Sequence, residues 1–245
     1  MMTLDIIGSS SHGNGYALSN GKEILLIEAG IKFKTMLKAI DYKLPLVVGC
    51  LVSHAHNDHA KYATEYAKYG ISVVINRDVE SKKNIPRQMC KVTSEAETLQ
   101  LGSFRVTPFH VAHDVPNFGY LVYQKEMGTL LFATDTFTLP YKFKNINHFL
   151  IEANYDDNIL GQNVSKGLID KKQADRLMVS HMSLANCIGN LKQCHAEHSS
   201  SIVLIHLSER NSSPKMFHDR LAAAFGVPTY IASKGKKINL SRYDI

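Results

Sequence analysis

Several apolar runs of this chain end on a side chain that can hold a metal ion. Leu51-Val52-Ser53 leads into His54, Phe109 to Ala112 leads into His113 and Asp114, Leu130 to Thr134 leads into Asp135, and Ile202 to Ile205 leads into His206. A fifth run, Leu177 to Ser180, leads into His181. A histidine after one strand carries little information. Four or five strand ends that each offer His or Asp form the pattern of a sheet edge assembling one site from many short loops. The chain has 12 histidines among 245 residues, unevenly spread.

With 44% hydrophobic and 20% charged residues, the sequence describes an ordinary globular chain and excludes disorder, collagen and coiled coil. Lys plus Arg number 28 against 22 Asp plus Glu, a formal charge of +6 that favours phosphate-bearing partners without demanding a long polyanion. The cations read as dispersed, and there is no Trp. The longest apolar stretch, Leu44 to Val52, is far below the roughly 18 residues a membrane span needs. The opening MMTLDIIGSSSHG has no cationic region followed by an apolar core, so a cytoplasmic protein is expected. Cys50, Cys90, Cys187 and Cys194 match neither metal knuckles nor a disulfide scaffold and read as reduced core residues.

Alternation predicts strands at Thr3–Ile7, Tyr16–Ser19 and Glu23–Glu28, the last two joined by Asn20-Gly21. Ile31, Met36, Leu37 and Ile40 keep a helical period, Leu46–Ser53 reads as a buried strand, and Asp58–Tyr69 as a helix closed by Gly70. Ser72–Ile75 is a further strand. Strands follow at Arg105–Ala112, Gly119–Gln124, Thr129–Ala133 and Phe149–Glu152, then helices over Lys166–Leu177 and Leu184–Ala196. A strand at Ile202–Ile205, a helix at Pro214–Phe225 and a closing strand at Thr229–Ala232 complete the order. No Pro/Ser-rich linker interrupts it. Two packed mixed β-sheets flanked by helices, an α/β sandwich in one domain over 1–245, fit this order better than a doubly wound parallel sheet.

The sharpest motif is His54-Ala55-His56-Asn57-Asp58-His59. On a strand end, His54 and His56 project the same way because side chains repeat every two residues, and the turn into a helix re-aims Asp58 and His59. Two imidazoles then hold one divalent ion, while a carboxylate and an imidazole hold a second beside it, with room for a bridging hydroxide.

These features together resemble the metallo-β-lactamase fold superfamily over nearly the whole chain. The resemblance rests on the GSSSHGNGY loop, on LLIEAG with Glu28 where an Asp is usual, and on HAHNDH. It continues through His110 to Asp114, the ATDT around Asp135 and the LIHLSERN around His206. Within the superfamily the chain is similar to the YycJ/WalJ-type branch, through Glu152-Ala153-Asn154 and Ser180-His181-Met182-Ser183, and to phage anti-Pycsar proteins that hydrolyse cyclic mononucleotides. The resemblance implies His54, His56 and His113 as ligands of one metal, Asp58, His59 and His206 of the other, and Asp135 as their bridge. Two divalent ions are implied, Zn2+ first and Mn2+ second, and a homodimer. Tyr155 stands where nuclease-like relatives carry His, which weakens transfer of their activity.

The remaining candidates leave alternatives open. His110 competes with His113 as a ligand. His181 suits a phosphate contact or a proton donor with Asp58 in the catalytic group, or a core position. Asn154 and Asp156 support ligand histidines or cap loops. Ser183 and Ser208 lie near enough in sequence to His181 and His206 to contact substrate. His12 and Asn14 line the pocket or only shape a turn, and Cys194 to His198 forms a zinc-like cluster or a solvated helix face. The expected function is a dimetal phosphodiesterase that opens 3′,5′-cyclic nucleoside monophosphates to linear 5′-nucleotides. The phage resemblance would place that activity against a host antiviral signal, in the host-cell cytoplasm. The second expectation is a YycJ/WalJ-like DNA 5′ exonuclease, and the third a metal-binding, non-catalytic interaction protein.

Overall fold

The computed structural model describes residues 1–242. Residues 243–245, assigned to the same domain from sequence, lie outside the described residues. The first half runs β1 (Thr3–Gly8), β2 (Gly15–Ser19), β3 (Ile24–Ile27), α1 (Phe33–Ala39), β4 (Val47–Leu51), α2 (Asn57–Ala60), α3 (Ala63–Lys68), β5 (Val73–Ile75), α4 (Arg77–Lys83) and β6 (Cys90–Val92). The second runs β7 (Leu99–Leu101), β8 (Phe104–Val111), β9 (Asn117–Gln124), β10 (Gly128–Ala133), β11 (His148–Glu152), α5 (Asp157–Ser165), α6 (Lys171–Ser180) and α7 (Leu184–Gln193). It closes with β12 (Ser201–Ile205), α8 (Pro214–Phe225), β13 (Thr229–Ile231) and β14 (Lys237–Asn239).

The strands form two seven-stranded mixed sheets, in the orders β14-β1-β2-β3-β4-β5-β6 and β13-β12-β11-β10-β9-β8-β7. Each begins as an antiparallel meander and then becomes parallel: β3, β4, β5 and β6 in the first sheet, β10, β11, β12 and β13 in the second, with helices in every crossover but the irregular one from β10 to β11. Strand alternation builds three layers of core. Leu4, Tyr16, Leu25 and Leu51 of the first sheet meet Phe104, Tyr120, Phe132 and Val203 of the second between the sheets. The opposite faces take the helices. Leu26, Cys50 and Val73 pack on Phe33, Met36 and Tyr66, while Leu131, Phe149 and Leu204 pack on Leu184, Leu191 and Phe217. The chain is therefore the αββα sandwich expected from the order of its elements.

Three expectations about elements are corrected. The helix expected at Asp58–Tyr69 breaks into α2 and α3, because Asn14 N donates to Asp58 O at 2.7 Å and Tyr62 N turns to Ala29 O at 2.9 Å. A carbonyl taken by a distant loop cannot continue the helical ladder. The helix expected at Lys166–Leu177 starts only at Lys171, as α6, because the left-handed Gly167 (φ 69°) follows the end of α5 at Ser165 and the Asp170 side chain then caps Lys172 N at 2.8 Å. The run Leu177 to Ser180 is the last turn of α6, so His181 leaves a helix and not a strand. The strands β6, β7 and β14, of 3 residues each, are too short for alternation to register. Among the described residues no helix is long and apolar enough to cross a membrane. Cys50, Cys187 and Cys194 are buried and unpaired, and Cys90 is half-buried.

Candidate metal centre

The site forms where parallel strands finish on one rim. Glu28 follows β3, His54 lies beyond β4, His113 beyond β8, Asp135 beyond β10, Glu152 ends β11, and His206 follows β12. Three of these residues turn off their strands in the left-handed region: Glu28 at φ 67°, Asp135 at 49° and His206 at 53°. Each such non-glycine residue costs on the order of 1–3 kcal/mol and persists only where its surroundings hold it. The clamps are visible. Asn117 Nδ2 donates to Thr134 O and Asp135 O at 3.0 and 2.8 Å, Asn154 Nδ2 donates to His206 O at 2.8 Å, and Glu28 N donates to Leu51 O at 2.7 Å.

The HAHNDH segment delivers four side chains to this rim. His54 and His56 come together with ring centroids 4.7 Å apart, and His113 closes on both at 4.9 and 5.1 Å. Asp58, in the first turn of α2, places Oδ2 at 3.2 Å from His59 Nε2 and at 3.2 Å from His206 Nε2. Asp135 lies between the two sets. Its Oδ2 faces His54 Nε2 at 3.8 Å and His113 Nε2 at 3.9 Å, while its Oδ1 faces His59 Nε2 at 3.3 Å and His206 Nε2 at 3.8 Å. One carboxylate thus offers one oxygen to each half. His54, His56, His113 and Asp135 bring one ligand atom each within 4.8 Å of one another, as do Asp58, His59, Asp135 and His206.

The donor set fits two divalent ions. His54 Nε2 is buried, accepts and donates no hydrogen bond, and points at Asp135. An unpaired buried nitrogen costs about 1–3 kcal/mol, and coordination removes that cost. The protonation pattern divides along the same line. Burial, and then the charge of His59, holds His54 well below the usual imidazole range. Burial also lowers His113 against the pull of Asp135 and Asp114. Both are therefore neutral, the form that binds metal. In the other half, burial opposes charge, but Asp135 and Glu28 hold His59 well above its usual range. Asp135, Asp58 and Glu152 likewise raise His206, to about 10. Those imidazoles carry protons among carboxylates, and a metal ion would take the place of the protons.

Supporting residues orient the ligands from behind. Ser53 Oγ sits 2.9 Å from His54 Nδ1, and His113 Nδ1 donates to Ser180 O at 3.0 Å, turning Nε2 inward. Glu28, fully buried, places Oε1 at 3.4 Å from His59 Nδ1, so the longer carboxylate still buttresses its ligand. Asn14 Nδ2 lies 3.1 Å from His59 Nε2, and Asn154 Nδ2 lies 3.1 Å from His206 Nδ1.

Two groups at the site were given no role in the sequence reading, although both were noted there. Glu152 is a third buried carboxylate, its Oε1 accepting from His181 Nδ1 at 2.6 Å and lying 3.5 Å from His206 Nδ1. Its Oε2 accepts from Thr136 N at 3.0 Å and Met182 N at 3.4 Å. The signal was present, since Glu152 ends an apolar strand as the ligands do. Asp114 places Oδ1 at 3.2 Å from His113 Nε2 and 3.4 Å from His56 Nε2, while its Oδ2 accepts from Arg176 Nη2 at 2.7 Å. That pair forms the rim of the cleft.

Other expectations fall elsewhere. His12 does not line the cleft: it is exposed beside Glu209 at 3.8 Å, and its neighbour Ser11 lines the cleft instead. Asp156 caps α5 through Asn158 N and Ile159 N and pairs with Arg220 at 3.2 Å. Ser183 caps α7 through Asn186 N at 3.1 Å, so neither residue supports a ligand. Ser208 reaches the cleft wall while accepting from Asn211 N at 3.2 Å. His110 is exposed on β8 against the Phe118 ring, and His195, Glu197 and His198 are solvated. Tyr155 is buried with Leu160 and Ala174 beneath α5 and α6, away from the ligands.

The rim, the two sheets and the paired histidine sets define a class. The chain has the metallo-β-lactamase fold, with clustered His and Asp side chains that fit divalent metal ions. The structure of the metallo-beta-lactamase fold protein YhfI from Bacillus subtilis matches it with a TM-score of 0.75 and 15% identity, over 98% of this chain and 100% of that one. Among curated proteins, the chain is 25% identical over 230 residues to the exodeoxyribonuclease WalJ of Streptococcus pneumoniae, covering 87% of this chain and 84% of WalJ. It is 27% identical over 168 residues to the exodeoxyribonuclease YycJ of Bacillus anthracis, covering 63% and 64% of the two chains. These relatives support the WalJ/YycJ branch. No protein-family model matches.

Proposed function

We propose that this chain is a metal-dependent phosphodiesterase that removes nucleotides from DNA ends. The observation that carries the chemistry is Asp135, whose two oxygens divide between two histidine sets on an open rim. Divalent ions held there by His54, His56, His113, Asp58, His59, His206 and Asp135 would supply Lewis acidity, activate water at neutral pH and neutralise the charge of a phosphodiester. The likeness to two exodeoxyribonucleases favours DNA as the diester. Tyr155 packs with Leu160 and Ala174 under α5 and α6.

The chain's own residues provide the rest. Asp114 steadies the exposed Arg176 guanidinium at the cleft edge, where it meets a phosphate oxygen. Glu152, fixed by two backbone N–H groups, orients His181 through Nδ1, and the other ring nitrogen is turned toward the cleft that His181 lines. Burial opposes a proton on His181, and the Glu152 carboxylate overcomes it, so its pKa is raised. That is the state of a group that gives a proton to the leaving ribose oxygen.

A cyclic 3′,5′-nucleotide is the second reading, favoured by the small size of the metal-side cleft, ≈ 250 Å3, and tied to the phage-type role that the resemblance implies. The test presents the metal-replete protein with end-labelled DNA, single-stranded and duplex, and with a panel of cyclic mononucleotides. Stepwise release of mononucleotides from one DNA end is expected, and the label that disappears first gives the polarity. Intact DNA beside opened cyclic nucleotides would overturn the exonuclease and leave the cyclic substrate in its place. Light scattering on the same sample tests the implied homodimer, which a fully active strict monomer would exclude.

A further inference from the structure

We infer that a lysine-lined groove on the flank of the first sheet is a track for the phosphate backbone of DNA, leading away from the metal cleft. The choice of DNA among polyanions rests on the nuclease reading above. The groove, ≈ 700 Å3, is walled by Lys32, Lys34 and Lys38 of the α1 segment and by Lys234, Lys236 and Lys237 between β13 and β14. Its floor is Asp5 to Ile7 of β1. Two stretches about two hundred residues apart in sequence meet because β14 pairs with β1, Lys237 opposite Asp5, and Gly235 N donates to Ile6 O at 2.8 Å.

The charge there is unbalanced. Asp5 pairs with Lys237 at 3.3 Å, and Lys236 Nζ donates to Ile231 O at 3.3 Å. Lys32, Lys34, Lys38 and Lys234 are exposed and have no acidic partner among the described residues. Six ammonium groups against one carboxylate leave the groove at +5, most of the chain's formal +6. Like charges gathered in one groove repel one another and generate a potential that anionic ligands relieve. Lysines as mobile point charges, with Tyr230 under Lys236 as the aromatic neighbour, suit contact with successive phosphates and not reading of bases.

The α1 wall and the floor of the groove each continue along the chain to residues that touch the metal centre. Gly30 packs so closely on α2 that a Cβ there would lie 1.7 Å from Asp58 O. Lys32 is two residues farther, at most about 7 Å of extended chain. Along the floor, β1 runs through Gly8 into Ser9, whose Oγ accepts from His206 N at 2.9 Å. A strand whose end reaches Asp58 and His206 would pass directly between these lysines.

The test measures binding of the metal-loaded protein to a fluorescein-labelled, phosphorothioate-protected single strand by anisotropy across a salt series. With Lys34→Gln, Lys38→Gln and Lys234→Gln combined, the slope of log affinity against log salt should become shallower by about 2, from three contacts at about 0.7 each. Affinity at low salt should fall on the order of tenfold or more. The three side chains are exposed, so a native circular dichroism spectrum is expected, and the matching Lys→Arg triple should restore the slope. Removing three lysines elsewhere, Lys142, Lys144 and Lys192, should leave the slope unchanged. A wild-type slope and affinity in the groove triple overturn the track, even in a protein that degrades DNA. A lysine-dependent slope in a protein that never releases nucleotides keeps the track and removes the nuclease.

Discussion

A protein in which Asp58 and His59 are both replaced by alanine is expected to lose diester hydrolysis by a factor on the order of 10⁴ or more. Asp58 stands between His59 and His206 at 3.2 Å from each, so its removal leaves the second histidine pair facing Asp135 alone. The fold should survive, because the three apolar layers supply most of the stability. It should nevertheless melt earlier. His59 is fully buried and sits 3.4 Å from the fully buried Glu28, and removing one member of a buried charge pair costs about 3–5 kcal/mol. Asp58→Asn separates the two effects, since it keeps the shape, drops the charge and leaves His59 with Glu28. Rates on a chromogenic diester, read with a thermal melt and a circular dichroism spectrum, check both. Unchanged turnover in the double variant would mean that the HAHNDH segment is not the site.

The second large effect belongs to His181. Its replacement by alanine should slow hydrolysis of DNA by a factor on the order of 10² to 10⁴. The ring stacks on His206 at 5.5 Å and is held by Glu152 at 2.6 Å, which places it at the metal centre, where Asp135, Glu152, His181 and His206 also bring ligand atoms within 4.8 Å of one another. A general acid matters only when the leaving group needs a proton. The loss should therefore shrink to within about tenfold on a bis(p-nitrophenyl) phosphate, whose leaving group departs as the anion. Glu152→Gln should follow the same pattern, because it weakens both the orientation of His181 and the hold on its proton. Equal losses on both substrates would make His181 a binding residue.

Much of this site was legible because metal ligands at strand ends leave a mark in sequence: an apolar run, then His or Asp. That mark found His54, His113, Asp135 and His206, and the two-residue spacing found His56. Pro214 and Phe225 bounded α8 correctly, since a proline at the first turn and the glycine after its end are local signals. What stayed hidden was set by distant contacts. The split between α2 and α3 depends on Asn14, more than forty residues upstream, capturing Asp58 O. The six groove lysines look dispersed until β1 and β14 pair. His12 and Ser11 exchange places at the cleft because a turn fixes which neighbour points inward, and composition does not encode that choice. Tyr155, which stands where nuclease-like relatives carry His, belongs to a small apolar cluster that only the packing of α5 on α6 reveals.

Asp135, with one oxygen toward each histidine set, is proposed to serve two metal positions. Elemental analysis of the gently purified protein tests it most directly, with the same sample assayed before and after chelation. Close to two equivalents of divalent metal per chain are expected, zinc or manganese given mixed imidazole and carboxylate donors, lost together with activity. A reproducible value near zero, with diester hydrolysis intact in chelator, would contradict it.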